Sequence, residues 1–88
     1  MSRLLNLIDD YKDRHGQPSD ASIARAVGIA PQTLNSWRKR GIRELPNPDT
    51  LRRLAGFLGL ADDVTFYAAG VDAGYIIEHE PTSDEAAG

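Results

Sequence analysis

The chain has 88 residues, 41% of them hydrophobic, no cysteine and a formal net charge of −3. That length suits one small domain with one modest core. The missing cysteines exclude a disulfide framework and any thiolate metal site, and no apolar run approaches the ~20 residues of a membrane span.

Charge is unevenly placed along the chain. All ten Lys and Arg lie in residues 1–60 against six acids, a local net of +4, while residues 61–88 carry the other seven acids and no Lys or Arg. Phosphate contact needs a local basic patch, so an acidic whole does not exclude a nucleic-acid partner. The opening stretch MSRLLNLIDDYKDR has acids close behind its apolar cluster and lacks the apolar core of a signal peptide. A cytoplasmic protein is expected.

The spacing of Leu4, Ile8 and Tyr11, with Leu5 and Leu7 beside them, predicts a first helix over Arg3–Arg14 with Ser2 as N-cap. His15 and Gly16 end it. A second helix is predicted over Ala21–Val27, capped by Ser19 or Asp20, with Ile23, Ala24 and Val27 as its apolar stripe. Gly28 then sits where a tight turn asks for positive φ. The third helix is predicted over Pro31–Arg40, with Pro31 at the first position and Leu34 and Trp37 facing inward.

Gly41 to Pro46 reads as a loop. Asn47 is the expected N-cap of a fourth helix starting at Pro48, whose Leu51, Leu54, Ala55 and Leu58 recur at i, i+3, i+4 and i+7. Gly59 is its expected C′ residue. A fifth helix is predicted from Asp62 or Asp63 to Ala69, with Gly70 ending it. Val71–His79, which contains Tyr75, Ile76 and Ile77, reads as a weak strand or an apolar docking arm. Residues 80–88, EPTSDEAAG, read as an acidic, flexible tail or the start of a linker. The expectation is an all-α, five-helix domain with its arm over residues 1–79, followed by a disordered tail over 80–88.

The helix, turn and helix around Gly28 make a helix-turn-helix pattern, which points to double-stranded DNA. Ile23, Ala24, Val27, Gly28, Thr33, Leu34, Trp37 and Gly41 carry it, and Pro46, Leu51, Leu54, Ala55, Leu58 and Gly59 continue the order. On these residues the chain resembles the lambda-repressor/Cro family of five-helix DNA-binding domains, also called the xenobiotic-response-element type. The resemblance spans residues 3–71, and Asp63–Val71 is similar to the family's fifth helix. It implies a sequence-specific transcriptional regulator, a repressor of phage, prophage or bacterial type. It also implies a homodimer on a pseudo-palindromic operator. The fifth helix (Val64, Phe66, Tyr67) and Tyr75, Ile76 and Ile77 are the expected dimer elements.

Two residues depart from the family pattern. Pro31 stands where a base-reading or phosphate-binding side chain is common, and a proline donates no hydrogen bond. Asp20 stands where a phosphate-binding Gln is common, and a carboxylate there is repelled by DNA unless it caps the helix and points inward. The loop after the third helix is also one residue longer than in the shortest members.

Base reading is expected from Gln32, Ser36, Asn35 and Thr33, the early polar residues of the third helix. Phosphate contact is expected from Arg38, Lys39, Arg40 and Arg43, with Asn47 at the start of the fourth helix. Arg52 and Arg53 lie on that helix's exposed side. Less specific readings stand beside these. Trp37 is a core anchor, and Arg38–Arg40 alone would be a solvated helix end favoured by the macrodipole. His15 and His79 have no ligand spacing, and Asp10, His15 and Ser19 lack a nucleophile elbow. No metal, cofactor or enzymatic activity is expected. The alternatives are a protein-interaction module of antitoxin or adaptor type that keeps the fold, or the DNA-binding half of a longer repressor.

Overall fold

A computed structural model of the chain describes residues 2–77. Short polar side chains start three of its helices by satisfying first-turn N–H groups that have no partner inside the helix. Ser2 Oγ accepts from Leu5 N at the start of α1 (Arg3–Arg14), and Ser19 Oγ accepts from Ser22 N at the start of α2 (Asp20–Val27). Asn47 Oδ1 accepts from Asp49 N, 2.8 Å away, at the start of α4 (Pro48–Leu58). α3 (Pro31–Arg40) begins after Ala30 with no side-chain cap, and Pro31 removes one of the donors that would need one. α5 (Asp62–Asp72) follows Ala61, with Asp62 and Asp63 placed to suit its N-terminal dipole. These five helices form a compact all-α domain, with no strand among the described residues.

Each helix turns its apolar stripe to a common core. Leu4 and Ile8 of α1, Ile23, Ala24 and Val27 of α2, Leu34 of α3, and Leu51, Leu54 and Leu58 of α4 are all buried there. Full burial of one such side chain contributes about 1.5–3 kcal/mol. α5 joins through small residues, Ala68 and Ala69, which let it approach α1 and α4 closely. Thr65 is the buried polar member of the core, and its Oγ1 donates to the Leu51 carbonyl 3.0 Å away, tying α5 to α4. Tyr11 and Phe57 are half-buried ring neighbours, with centroids 4.7 Å apart, and His15 stacks on Tyr11 at 4.0 Å. α3 packs chiefly on α2, so it sits at the margin of the core.

Gly28 ends α2 in the left-handed region at φ 85°. The N–H of Ile29 bonds back to Ala24 O at 2.9 Å and that of Gly28 to Arg25 O at 3.3 Å, the paired bonds of a Schellman ending. This turn sets the angle at which α3 leaves α2.

Two expected boundaries change. α2 begins at Asp20, one residue early, because Ser19 does the capping. α5 passes through Gly70 and continues to Asp72. Gly70 lies within the helix, and the side chain of Ile76 folds back into the space its missing side chain leaves: a Cβ there would lie 2.6 Å from Ile76 Cδ1. The left-handed residue is Gly74, at φ 83°, and Tyr75 N then bonds to Gly70 O at 2.8 Å. Val71 and Asp72 therefore belong to a helix and not to a strand or arm, while Tyr75, Ile76 and Ile77 follow it as exposed residues. His79, the expected boundary after residue 79 and the tail over 80–88 lie outside the described residues. No helix among the described residues is long and apolar enough to cross a membrane.

Candidate nucleic-acid interface

Helix α3 is pinned by little. Leu34 is its buried residue, and half-buried Trp37 packs against the core one turn on. With about 100° between successive residues, Gln32, Asn35, Ser36 and Lys39 share the side away from Leu34. Gln32, Thr33, Asn35, Lys39 and Arg40 are exposed there, and Ser36 is half-buried. Gln32 and Asn35 line one shallow groove with Pro31, Ala21 and Asp20. The start of α2 thus borders the polar side of α3, and the residue it presents is an acid.

Arg38 borders the same groove as Arg40 and Arg43, but its donors turn to acids of α1 and α2. Its Nε donates to Asp20 Oδ2 at 2.8 Å and its Nη2 to Asp20 Oδ1 at 3.0 Å, a two-pronged fork. Nη2 also donates to Asp9 Oδ1 at 2.8 Å, and Lys12 Nζ donates to Asp20 Oδ1 at 2.9 Å. Two acids and two bases from α1, α2 and α3 so form one neutral cluster. The Arg38 fork holds the Asp20 carboxyl below its ordinary range, with Lys12 adding to the effect against the cost of partial burial. The hydrogen bonds that Arg38 donates to Asp20 and Asp9 push its guanidinium pKa up. Of the five residues expected to meet phosphate, Arg38 is the one bonded to carboxylates, through Nε and both Nη2 donors, while Arg43 Nε donates to the Arg40 carbonyl at 3.5 Å.

The remaining bases spread around the end of α3. Lys39, Arg40 and Arg43 are exposed, and Arg40 and Arg43 line a wide groove with Trp37, Arg38, Ile42 and Asp72. Ile42 is only 3% exposed and anchors the loop that carries Arg43. Asn47 is exposed but spends its carbonyl oxygen on the α4 cap, so an outward contact falls to its amide NH2. Arg52 pairs with Asp49 at 2.9 Å. Arg53 turns the other way, its guanidinium lying over Gly28, where a Cβ would be 2.9 Å from Nη1. Arg53 therefore stands beside the turn between α2 and α3.

Some of this was not read from the sequence. The Arg38–Asp20 fork was missed, although each partner stood out for its own reason. Ile42 was missed too; its signal is a β-branched apolar residue isolated in a polar loop. Asp9 and Lys12 gave no signal beyond charge.

Comparison of the chain with protein-family models, with curated proteins and with solved structures finds no match.

Proposed function

We propose that the chain is a sequence-specific double-stranded-DNA-binding transcriptional regulator, non-enzymatic and cytoplasmic. It acts as a repressor through a helix-turn-helix of the lambda-repressor/Cro kind. The observation that carries this reading is the outward side of α3: Gln32, Thr33, Asn35, Lys39 and Arg40 are exposed on a helix held by Leu34 and Trp37. A helix of ~10–12 Å diameter fits the ~12 Å major groove. Placed there, the Gln32 amide pairs with adenine N6 and N7, and Ser36 and Asn35 meet neighbouring base edges. Arg40, Arg43 and Lys39 meet phosphates beside the groove, and Arg53 meets one near the turn. Bound protein then occludes an overlapping promoter.

One module makes few base contacts, so a homodimer on a pseudo-palindrome supplies the rest of the affinity. An apolar groove between α1 and α5, lined by Leu7, Val64, Tyr67 and Ala68, is the surface offered to the second copy. The same groove favours the second reading, a protein-interaction module that keeps the fold without the DNA task.

A salt titration separates the two. Duplexes are selected from a random pool, and affinity is then measured from 50 to 300 mM salt. Steep, linear loss of log affinity with log salt supports DNA binding. No binding of any duplex at the lowest salt eliminates it and leaves the interaction module.

A further inference from the structure

We infer that Asp20 is a specificity-determining residue: it holds Arg38 away from the DNA backbone and thereby lowers affinity for unrelated duplexes. The inference rests on the DNA-binding reading and deepens it.

The argument is one of geometry and charge. Asp20 shares a groove with Gln32 and Asn35, so it lies at the edge of the face that enters DNA. Arg38 is on the flank of α3 that turns toward α1 and α2. Without its acids it would be a third consecutive base of Arg38, Lys39 and Arg40 able to reach phosphate. The fork from Nε and Nη2 to both Asp20 oxygens, at 2.8 and 3.0 Å, fills one two-pronged edge of the guanidinium, and the Nη2 bond to Asp9 at 2.8 Å takes one prong of the other. An arginine prefers the same planar, two-oxygen partner in a carboxylate and in a phosphate, so the two compete for one site. A carboxylate on the same folded chain is always present, and it wins unless DNA offers more.

Phosphate contacts raise affinity for every sequence alike, whereas base contacts raise it for the correct one. Withholding one phosphate contact therefore trades general affinity for discrimination. The fork also ties α3 to α2 one turn beyond Leu34, on the same face of α3, and so fixes how Gln32 is presented. Asp20 touches no base in this scheme; it acts through Arg38 and is a positioning residue.

The test uses the full chain, a selected duplex and an unrelated one, with affinity followed against salt. Asp20→Asn is expected to strengthen binding to the unrelated duplex, steepen its salt slope by about one unit and shrink the ratio of the two affinities several-fold. Arg38→Gln alone is expected to leave both slopes unchanged. The double variant Asp20→Asn, Arg38→Gln is expected to return to the wild-type slope, and Asp20→Glu, which keeps the charge, to stay near it.

A gain that persists in the double variant would mean that Asp20 acts by its own charge or by holding Lys12, and either overturns the inference. So does an Arg38→Gln slope lower by about one unit, because Arg38 would then already meet a phosphate. If Asp20→Asn fails to fold, the Arg38→Gln slope still decides the matter. Wild-type binding with steep salt dependence but no response to Asp20→Asn sinks the inference and leaves DNA binding intact. Wild-type failure to bind any duplex sinks both.

Discussion

Asp72, at the last position of α5, accepts the hydroxyl proton of Ser2, just before α1, at 2.7 Å. The same carboxylate accepts Arg3 N at 2.7 Å and Leu4 N at 3.0 Å, while Ser2 Oγ takes Leu5 N at 3.0 Å. One acid thus satisfies the first turn of a helix about 70 residues away along the chain. An acid at a helix C-terminus opposes the dipole of its own helix. Here the positive end of α1 offsets that cost.

Removing this carboxylate should therefore cost more than an ordinary surface change. Asp72→Ala is expected to lower stability by ~1–2 kcal/mol, and to lower Tm by roughly 5–10 °C for a domain of this size. Ser2→Ala should cost less, since Asp72 still serves Arg3 and Leu4, and the two losses should not add because they share one hydrogen bond. Thermal unfolding of both variants and of the double checks this. An Asp72→Ala Tm within a degree of wild type would show that water replaces the clasp at no cost.

Gly28 carries two constraints at once, its φ of 85° and the Arg53 guanidinium over its open side. An L-residue in the left-handed region costs ~1–2 kcal/mol, and a methyl group here also displaces Arg53. The guanidinium is the far end of a flexible side chain, so the backbone term should dominate. Gly28→Ala is expected to destabilise by that ~1–2 kcal/mol, and Gly28→Ala in an Arg53→Ala background by nearly as much. Chemical denaturation of the four proteins reads the difference. A much smaller cost in the Arg53→Ala background would assign the glycine to Arg53 and not to the turn.

Helix starts were legible because their causes are local. Ser2, Ser19 and Asn47 lie within three residues of the N–H groups they serve. The core stripe of α4 was legible for the same reason: Leu51, Leu54, Ala55 and Leu58 recur at the helical period. What could not be read depends on residues far apart in the chain. Gly70 looked like a helix stop because glycine often ends a helix, and only the structure shows that Ile76 packs on it and that Gly74 takes the left-handed turn. Asp20 and Arg38, 18 residues apart, each looked like a DNA-facing charge until the turn at Gly28 brought their helices together. In the candidate interface, the exposed side of α3 was legible from the period of Leu34 and Trp37, while the pairing of Arg38 with Asp20 and Asp9 was not.

The fork also has a pH signature. The Asp20 carboxyl titrates below its ordinary value in the folded protein, chiefly through its hydrogen bonds from Arg38. A carboxylate of depressed pKa contributes stability that is fully present above the unfolded value, ~3.9, and is lost as pH falls through the folded value. The stability gap between wild type and Asp20→Asn should therefore be constant near neutrality, start to narrow around the ordinary carboxylate range, and close at lower pH. Thermal unfolding of both proteins across an acid series measures it. A gap that stays constant to the lowest pH would mean that the Asp20 charge does not stabilise the fold.

Val64 and Tyr67 are 38% and 44% exposed on α5, beside the groove formed with α1. If a second copy covers them, an acid at Val64 breaks the pair by burying a charge against an apolar surface. Val64 lies in the first turn of α5, where a negative charge suits the helix dipole, so Val64→Asp should leave the monomer folded. Sedimentation at several concentrations is expected to show a dimer for wild type and a monomer for the variant, with unchanged helical content. A wild-type chain that stays monomeric throughout would move the dimer elsewhere or remove it.

Gln32 and Arg40 are both exposed on α3, yet the proposed function gives them opposite signatures. An amide paired with one adenine discriminates by ~1–3 kcal/mol at that base pair and contributes almost nothing to the salt dependence. A guanidinium on a phosphate contributes about one unit of slope and no base preference. Gln32→Ala should therefore relax the selected sequence at one position per half-site while its slope holds. Arg40→Ala should weaken all duplexes by a similar factor while the selected sequence stays the same. Repeating the selection and the titration with both variants tests the assignment. The decisive failure is a Gln32→Ala protein that selects the wild-type sequence but binds every duplex more weakly. That outcome would place Gln32 on the backbone and leave base reading to Asn35 and Ser36, on the same side of the helix.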